Sequence, residues 1–215
     1  MLYLPKGETL NMYIDKFILG PVMTNCYIVS QDDSAVVIDP GAESQAVLDY
    51  LTYNHLILKG ILLTHGHFDH IGGVVYLQKH TGAKTYIHQQ DEEMCEDTNK
   101  NGSTYFGIQT PAVTHIDGYL EEGKSYDWDG MAFHVLHTPG HSKGGVCLLS
   151  GNALFSGDTL FKGGIGRTDL YGGNYDQLIH SIQQKLLPLD KNYDIYPGHG
   201  NSSTLILEKQ QNPYL

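Results

Sequence analysis

The stretch THGHFDH, Thr64 to His70, packs three histidines and an aspartate into seven positions directly after the apolar run Ile61-Leu62-Leu63. Taken singly, a histidine in a loop after a strand caps a backbone group or faces water. Taken together, these residues suit a metal. In extended backbone, residues i and i+2 point to the same side, so His65 and His67 can share one cation. Asp69 and His70, where the chain turns toward a helix expected from Gly72, can point at a second position. Two cations about 3.5–4 Å apart are the arrangement of two-metal hydrolases.

The pattern of strand, turn and ligand-type residue recurs three times downstream. His141 sits in HTPGHSKGG after a strand ending at His137, Asp158 in LFSGDTLF after Phe155, and His199 in YPGHG after Tyr196. The flanking glycines let the backbone turn sharply and bring a side chain close to an ion. Five histidines and two aspartates suit zinc, or another borderline ion such as iron or manganese, better than calcium or magnesium. The sequence has no G-x-S-x-G elbow, Walker-type loop or C-x-x-C knuckle. GGIGR superficially matches a dinucleotide loop but lacks the glycine required three residues after Gly166.

In this order and spacing, THGHFDH, TPGHS, SGDTLF and PGHG resemble the metallo-β-lactamase superfamily. The resemblance implies an α+β fold: an αββα sandwich of two mixed sheets packed face to face with helices outside. It further implies His65, His67 and His141 on one metal, Asp69, His70 and His199 on a second, and Asp158 bridging them. GDTLFKGGIGRTDLYGG and LEKQQNPYL are similar to glyoxalase II, the hydroxyacylglutathione hydrolases, and their shorter relatives. That implies hydrolysis of a small thioester such as a lactoyl-glutathione-like compound. Glyoxalase II runs on past the N-P-aromatic-L element into a helical segment that contacts glutathione, whereas this sequence ends there, at Leu215, and the carrier thiol stays open.

A pair of divalent ions lowers the pKa of a water from about 15.7 toward 7, so hydrolysis needs no protein base. A leaving thiol of pKa about 8.5 departs as thiolate with little need for an acid. Asp69 and Asp158 are then the catalytic carboxylates, Asp69 orienting the nucleophile. Arg167, beside Asp169, either meets a substrate carboxylate or braces its own loop, and bracing is the favoured reading. Lys143 and Tyr175 are within reach of an acidic or peptide-like carrier. Two other readings stand beside the hydrolase: a mononuclear iron persulfide dioxygenase, which uses two histidines and an aspartate, and a metal-stabilised binding scaffold without catalysis. A β-lactamase is a weaker third.

The elements that must hold these residues follow from pattern. Short β-rich runs, 14–19, 26–29 and 35–38, read as antiparallel strands. Helical spacing over 42–53 and a strand over 59–63 make a β-α-β unit, and the theme repeats with a helix over 72–80, a strand over 84–88 and a short acidic helix over 90–95. Residues 97–114 are polar and irregular, an active-site loop or lid. Strands are expected over 132–137, 145–149, 153–155 and 194–196, with an amphipathic helix over 174–186 and a closing helix. The whole, residues 1–215, reads as one domain.

Hydrophobic content of 40% and charged content of 17% are ordinary for a globular chain. A net charge of -11 gives no basic stripe for a nucleic-acid backbone. Three cysteines without a C-x-x-C pair favour a reducing cytoplasm over a disulfide framework, and Cys147 reads as a small core residue. The opening MLYLPKGETLNMYIDKF has no apolar leader core, and no stretch approaches a membrane span. His80, His88, His115, His134, His137 and His180 share no ligand-like context and read as structural.

Overall fold

Runs of β-branched and aromatic residues bounded by turn residues form two six-stranded sheets. A computed structural model describes residues 12–215, so the first eleven residues, and the leader question they bear on, lie outside the described chain. The first sheet comprises β1 (Tyr13–Leu19), β2 (Thr24–Gln31), β3 (Ser34–Ile38), β4 (Ile57–Leu62), β5 (Lys84–Ile87) and β6 (Gly118–Tyr119), in that order across the sheet. Its first three strands are antiparallel and the rest run parallel. The second sheet is built from β7 (Ser125–Trp128), β8 (Met131–His137), β9 (Val146–Ser150), β10 (Ala153–Gly157), β13 (Asp194–Pro197) and β14 (Ser203–Thr204). β10 and β13 pair in parallel there. A small hairpin, β11 (Leu160–Phe161) with β12 (Gly164–Ile165), sits between β10 and the rest of the chain.

Strand alternation explains the layering. On β2, β3 and β4 every second residue, Tyr27, Val29, Val36, Ile38 and Leu62, points between the sheets and meets Phe133, Val135, Leu148 and Phe155 from the facing sheet. The residues between them, Cys26, Ile28, Ala35, Val37 and Ile61, face outward and are covered by helices α1 (Gln45–Tyr53) and α3 (Val74–Thr81). The outer face of the second sheet is covered in the same way by α6 (Tyr175–Ser181), its π-turn extension Ile182–Leu186, and α7 (Leu205–Gln211). This is the αββα sandwich. Among the described residues, no helix is long and apolar enough to cross a membrane.

Three departures from the sequence reading have local causes. α1 begins at Gln45 rather than at Ala42, because the Ser44 side chain caps Val47 N at 3.4 Å. The expected helix from Gly72 is preceded by a one-turn helix α2 (Phe68–Ile71). The loop after α4 (Glu92–Glu96) carries a further one-turn helix, α5 (Ser103–Phe106), set between two left-handed glycines, Gly102 and Gly107.

All three cysteines are buried and unpaired. Burial pushes the Cys95 thiol up to about 12 and Cys147 to about 11, and raises Cys26 as well. The sign is unambiguous: a raised thiol pKa removes thiolate at every pH below it. An aromatic disulfide reagent at pH 8 is therefore expected to label the native protein at least about 100-fold more slowly than a free thiol, and to label all three in denaturant.

Candidate metal centre

The site lies where the carboxyl ends of β3, β4, β10 and β13 converge, the end at which open α/β sheets place ligands. Backbone ties fix the two sheets there. Asn25 N donates to Gly198 O at 2.7 Å, and Val146 N donates to Thr64 O at 2.8 Å. Tyr27 Oη donates to Pro197 O at 2.7 Å across the sheet interface.

After β4 the chain leaves extended geometry at Thr64. His67 caps α2 in an extended conformation, and Asp69 and His70 follow on its single turn. They therefore sit inside a helix, not ahead of one, and at about 100° per residue their side chains diverge from that of His67 toward a second position. Asp39, one residue past β3 in a left-handed conformation (φ 52°), holds this segment in place. It accepts from Thr64 N at 2.8 Å and from Thr64 Oγ1 at 2.7 Å. Its Oδ2 also stands 2.9 Å from His70 Nδ1, an ion-pair distance off the line of a good hydrogen bond.

Five imidazoles and two carboxylates meet in overlapping groups: His65, His67 and His141; His65, His70 and Asp158; Asp69, His70 and His199. Within each group the ligand-type atoms lie within 4.8 Å of one another. His67 Nδ1 is 2.8 Å from His141 Nε2, which is 3.2 Å from His65 Nε2. Tetrahedral zinc at about 2.0–2.1 Å from each nitrogen separates its ligands by roughly 3.4 Å. Asp158 spans the groups, with Oδ1 3.5 Å from His70 Nε2 and Oδ2 3.5 Å from His141 Nε2 and 3.6 Å from His199 Nε2. Asp69 Oδ2 is 3.1 Å from His199 Nε2 and accepts from Thr24 Oγ1 at 2.9 Å.

Tautomers and charges agree with a cation site. His141 Nδ1 lies 2.7 Å from Arg167 O, so that nitrogen carries the proton and Nε2 presents a lone pair to the cluster. Burial holds His65 and His67 well below the usual histidine range, keeping both neutral, as ligation requires. On the other side burial opposes charge on His70, but Asp69, Asp39 and Asp158 outweigh it and push its pKa up to about 10. Burial likewise works against the Asp69 carboxylate, yet His70 and His199 hold it well below its usual range. The cluster thus draws positive charge inward. His70 Nε2 and Asp158 Oδ1 are buried and have no hydrogen-bond partner, a costly state unless a cation takes those lone pairs. The donor set fits a divalent metal, and among the described residues the metal-capable groups draw on these seven side chains alone.

The family model of the metallo-β-lactamase superfamily matches residues 19–199. The chain belongs to that superfamily. It is 36% identical over 200 residues to the hydroxyacylglutathione hydrolase GloC of Haemophilus influenzae, covering 89% of this chain and 92% of that protein. The superfamily likeness extends to solved structures. BLEG-1 B3 metallo-β-lactamase matches with a TM-score of 0.90 and 38% identity over 94% of this chain and 99% of that one. TTHA1623 in a di-iron-bound form matches with a TM-score of 0.85 and 38% identity over 94% of this chain and 100% of that one. The superfamily implies divalent metals at the His/Asp cluster.

Two glycines of the superfamily-like motifs act through close approach. A Cβ at Gly198 would collide with Asp158 Oδ1 and His70 Cε1, and one at Gly166 would overlap Asp158 O. Gly166, whose motif superficially matched a nucleotide loop, is there because the β12 segment packs on the Asp158 backbone.

Of the three substrate-contact candidates, the structure brings one to the site. Arg167 lines the pocket over the cluster, with its guanidinium bidentate to Asp169 at 2.7 and 2.8 Å. Lys143 lies instead in a surface network, 3.3 Å from Glu93 Oε1 and 2.9 Å from Tyr171 Oη. Tyr175 is exposed on the first turn of α6 and does not line that pocket. The structure also adds Asp39, Thr24 and Asp91. Asp91 is fully buried and accepts from Gly66 N (3.1 Å), Ser142 Oγ (2.6 Å) and Gly144 N (2.6 Å). It thereby ties the His65–His67 loop to the His141 loop.

Because Asp39 contacts His70 and not the cluster centre, Asp39→Ala is expected to weaken metal binding about 10–100-fold while the remaining donors still meet. Competition against a chromogenic chelator measures it; unchanged affinity would remove Asp39 from the site's support.

Proposed function

We propose that the protein is a dinuclear metal-dependent hydrolase of small thioesters, of the hydroxyacyl-thiol hydrolase type. The observation that carries the reading is the convergence of five imidazoles and two carboxylates, in groups within 4.8 Å, beneath a pocket open to solvent. His65, His67 and His141 would hold one ion, Asp69, His70 and His199 a second, with Asp158 between them. Zinc is the favoured ion, with iron or manganese as alternatives. When bound, the pair supplies a water ionised near neutral pH and a Lewis acid for the carbonyl oxygen. The chain's own residues do the rest. Thr24 donates to Asp69 Oδ2 and fixes the orientation of the carboxylate that would position the nucleophile. Arg167 O and Asp39 set the His141 and His70 rings. The likeness to GloC supports a thioester as the bond cleaved.

A persulfide dioxygenase reading needs two histidines and one aspartate, and leaves the other donors of the cluster without a role. A purely structural metal is closed by four ligands, whereas this cluster floors a pocket of about 380 Å³. The test is hydrolysis of lactoyl thioesters built on several low-molecular-weight thiols, by protein loaded in turn with zinc, iron and manganese. Thiol release with at least one pair is expected. Silence across the whole matrix, or oxygen uptake with one iron per chain, rejects the proposal.

A further inference from the structure

The run LEKQQNPYL holds two polar residues that the metal cluster leaves unused. Glu208 on α7 and Asn212 at its C-terminal cap are 2% and 5% exposed, a depth at which polar groups are kept only by their hydrogen bonds. Glu208 Oε2 accepts from Gly163 N at 2.8 Å and from Asn212 Nδ2 at 2.9 Å, and its Oε1 accepts from Ser203 Oγ. Asn212 Nδ2 also donates to Gly164 O at 3.1 Å. Gly163 and Gly164 form the tip of the β11–β12 hairpin, and Ser203 opens β14 just past the His199 loop. Resting on the metal-centre reading, we infer that Glu208 and Asn212 are positioning residues of that centre: they fasten the hairpin, and through it set where His141, Asp158 and His199 stand.

The hairpin touches the cluster from three directions. Asp158 lies two residues before β11, and a Cβ at Gly166, the residue after β12, would overlap Asp158 O. The next residue is Arg167, whose backbone oxygen stands 2.7 Å from His141 Nδ1. Phe161 on β11 presents its ring edge-on to His199, 6.2 Å between ring centres. A ribbon this short, two residues per strand, does not hold its own shape in water, so its register comes from outside. Leu160 and Ile165 pack into the core under the second sheet, but apolar contact has no direction along a strand. Directional bonds are made at both ends: Ser156 Oγ donates to Leu160 O at 2.7 Å at the base, and Glu208 and Asn212 hold the tip. Because Ser203 shares the same carboxylate, Glu208 joins the hairpin to the strand that closes the His199 loop.

The experiment measures zinc affinity by chelator competition and site geometry by the visible absorption of cobalt-loaded protein. Asn212→Ala and Glu208→Leu are expected to weaken zinc binding about tenfold or more, as loss of a group that orients a metal ligand does, and to alter the cobalt bands. Glu208→Gln should stay close to the parent, since glutamine can accept from Gly163 N and Asn212 Nδ2 and donate to the Ser203 hydroxyl, which also accepts. Leu51→Ala, in the core under α1 on the opposite side of the sandwich, should lower the melting temperature and leave zinc affinity unchanged. If Glu208→Leu does not fold, Asn212→Ala, just past the last turn of α7, decides. Parent-like affinity and cobalt bands in Asn212→Ala, or an equal loss of affinity in Leu51→Ala, overturn the positioning role and leave the metal centre in place. A parent protein that binds no zinc or cobalt overturns the metal-centre reading itself, and this inference with it.

Discussion

Asp158→Ala is expected to abolish hydrolysis, with a loss of about 10³-fold or more in kcat, and to leave the fold largely intact. The size follows from what the carboxylate joins. Its two oxygens stand 3.5–3.6 Å from His70, His141 and His199, with His141 on one side of the cluster and His70 and His199 on the other. Removing it leaves neither ion position with its full set of donors. A Lewis-acid contribution of several kcal/mol, at about 1.4 kcal/mol per decade, amounts to about three decades. The fold survives because the Asp158 side chain supports little else: Oδ1 has no hydrogen-bond partner, and the strand before it is held by backbone pairing with β9 and β13. Metal per chain, turnover and the melting temperature of the chelated protein separate these effects. Near-normal turnover in the variant would contradict the bridging role.

Asp91→Ala is expected to cost about 3 kcal/mol or more of stability, the cost of leaving three buried donors without an acceptor. Three donors, Gly66 N, Ser142 Oγ and Gly144 N, lose their acceptor at a position without solvent access. Each orphaned donor costs about 1–3 kcal/mol. The two loops joined by Asp91 carry His65, His67 and His141, so metal affinity should fall with stability, unlike in Asp158→Ala, where chelated stability is kept. Urea unfolding of the chelated variant measures it, and a change below about 1 kcal/mol would show that water or a neighbour replaces the carboxylate.

The seven side chains that the structure gathers into one cluster were legible in the sequence, and those that hold them there were mostly not. His65, His67, Asp69, His70, His141, Asp158 and His199 come soon after strand ends, and although each type alone is ordinary in a loop, their recurrence at four strand ends spoke together. Asp39 follows a strand in the same way, in VVIDPG, and the strand-end logic applied to the seven cluster residues reaches it too. Asp91 and Thr24 have no such signal, since their partners lie 25 to 53 positions away and meet them only through the fold. The long strands were legible because both faces of β2 and β3 are buried and apolar. The two-residue strands β6, β11, β12 and β14 are too short to show a period, and they exist through tertiary contacts. Arg167 shows a limit of another kind. Sequence identified its pairing with Asp169, while its backbone oxygen, which orients His141, carries no side-chain signature.

The central claim is that these seven side chains hold two neighbouring cations. The most direct measurement is the number of zinc, iron or manganese ions bound per chain when chelated protein is titrated, with the bound ions located by anomalous scattering. The account predicts two per chain, one among His65, His67 and His141 and one among Asp69, His70 and His199, with Asp158 reaching both. One ion per chain, or none under any of the three metals, would contradict it.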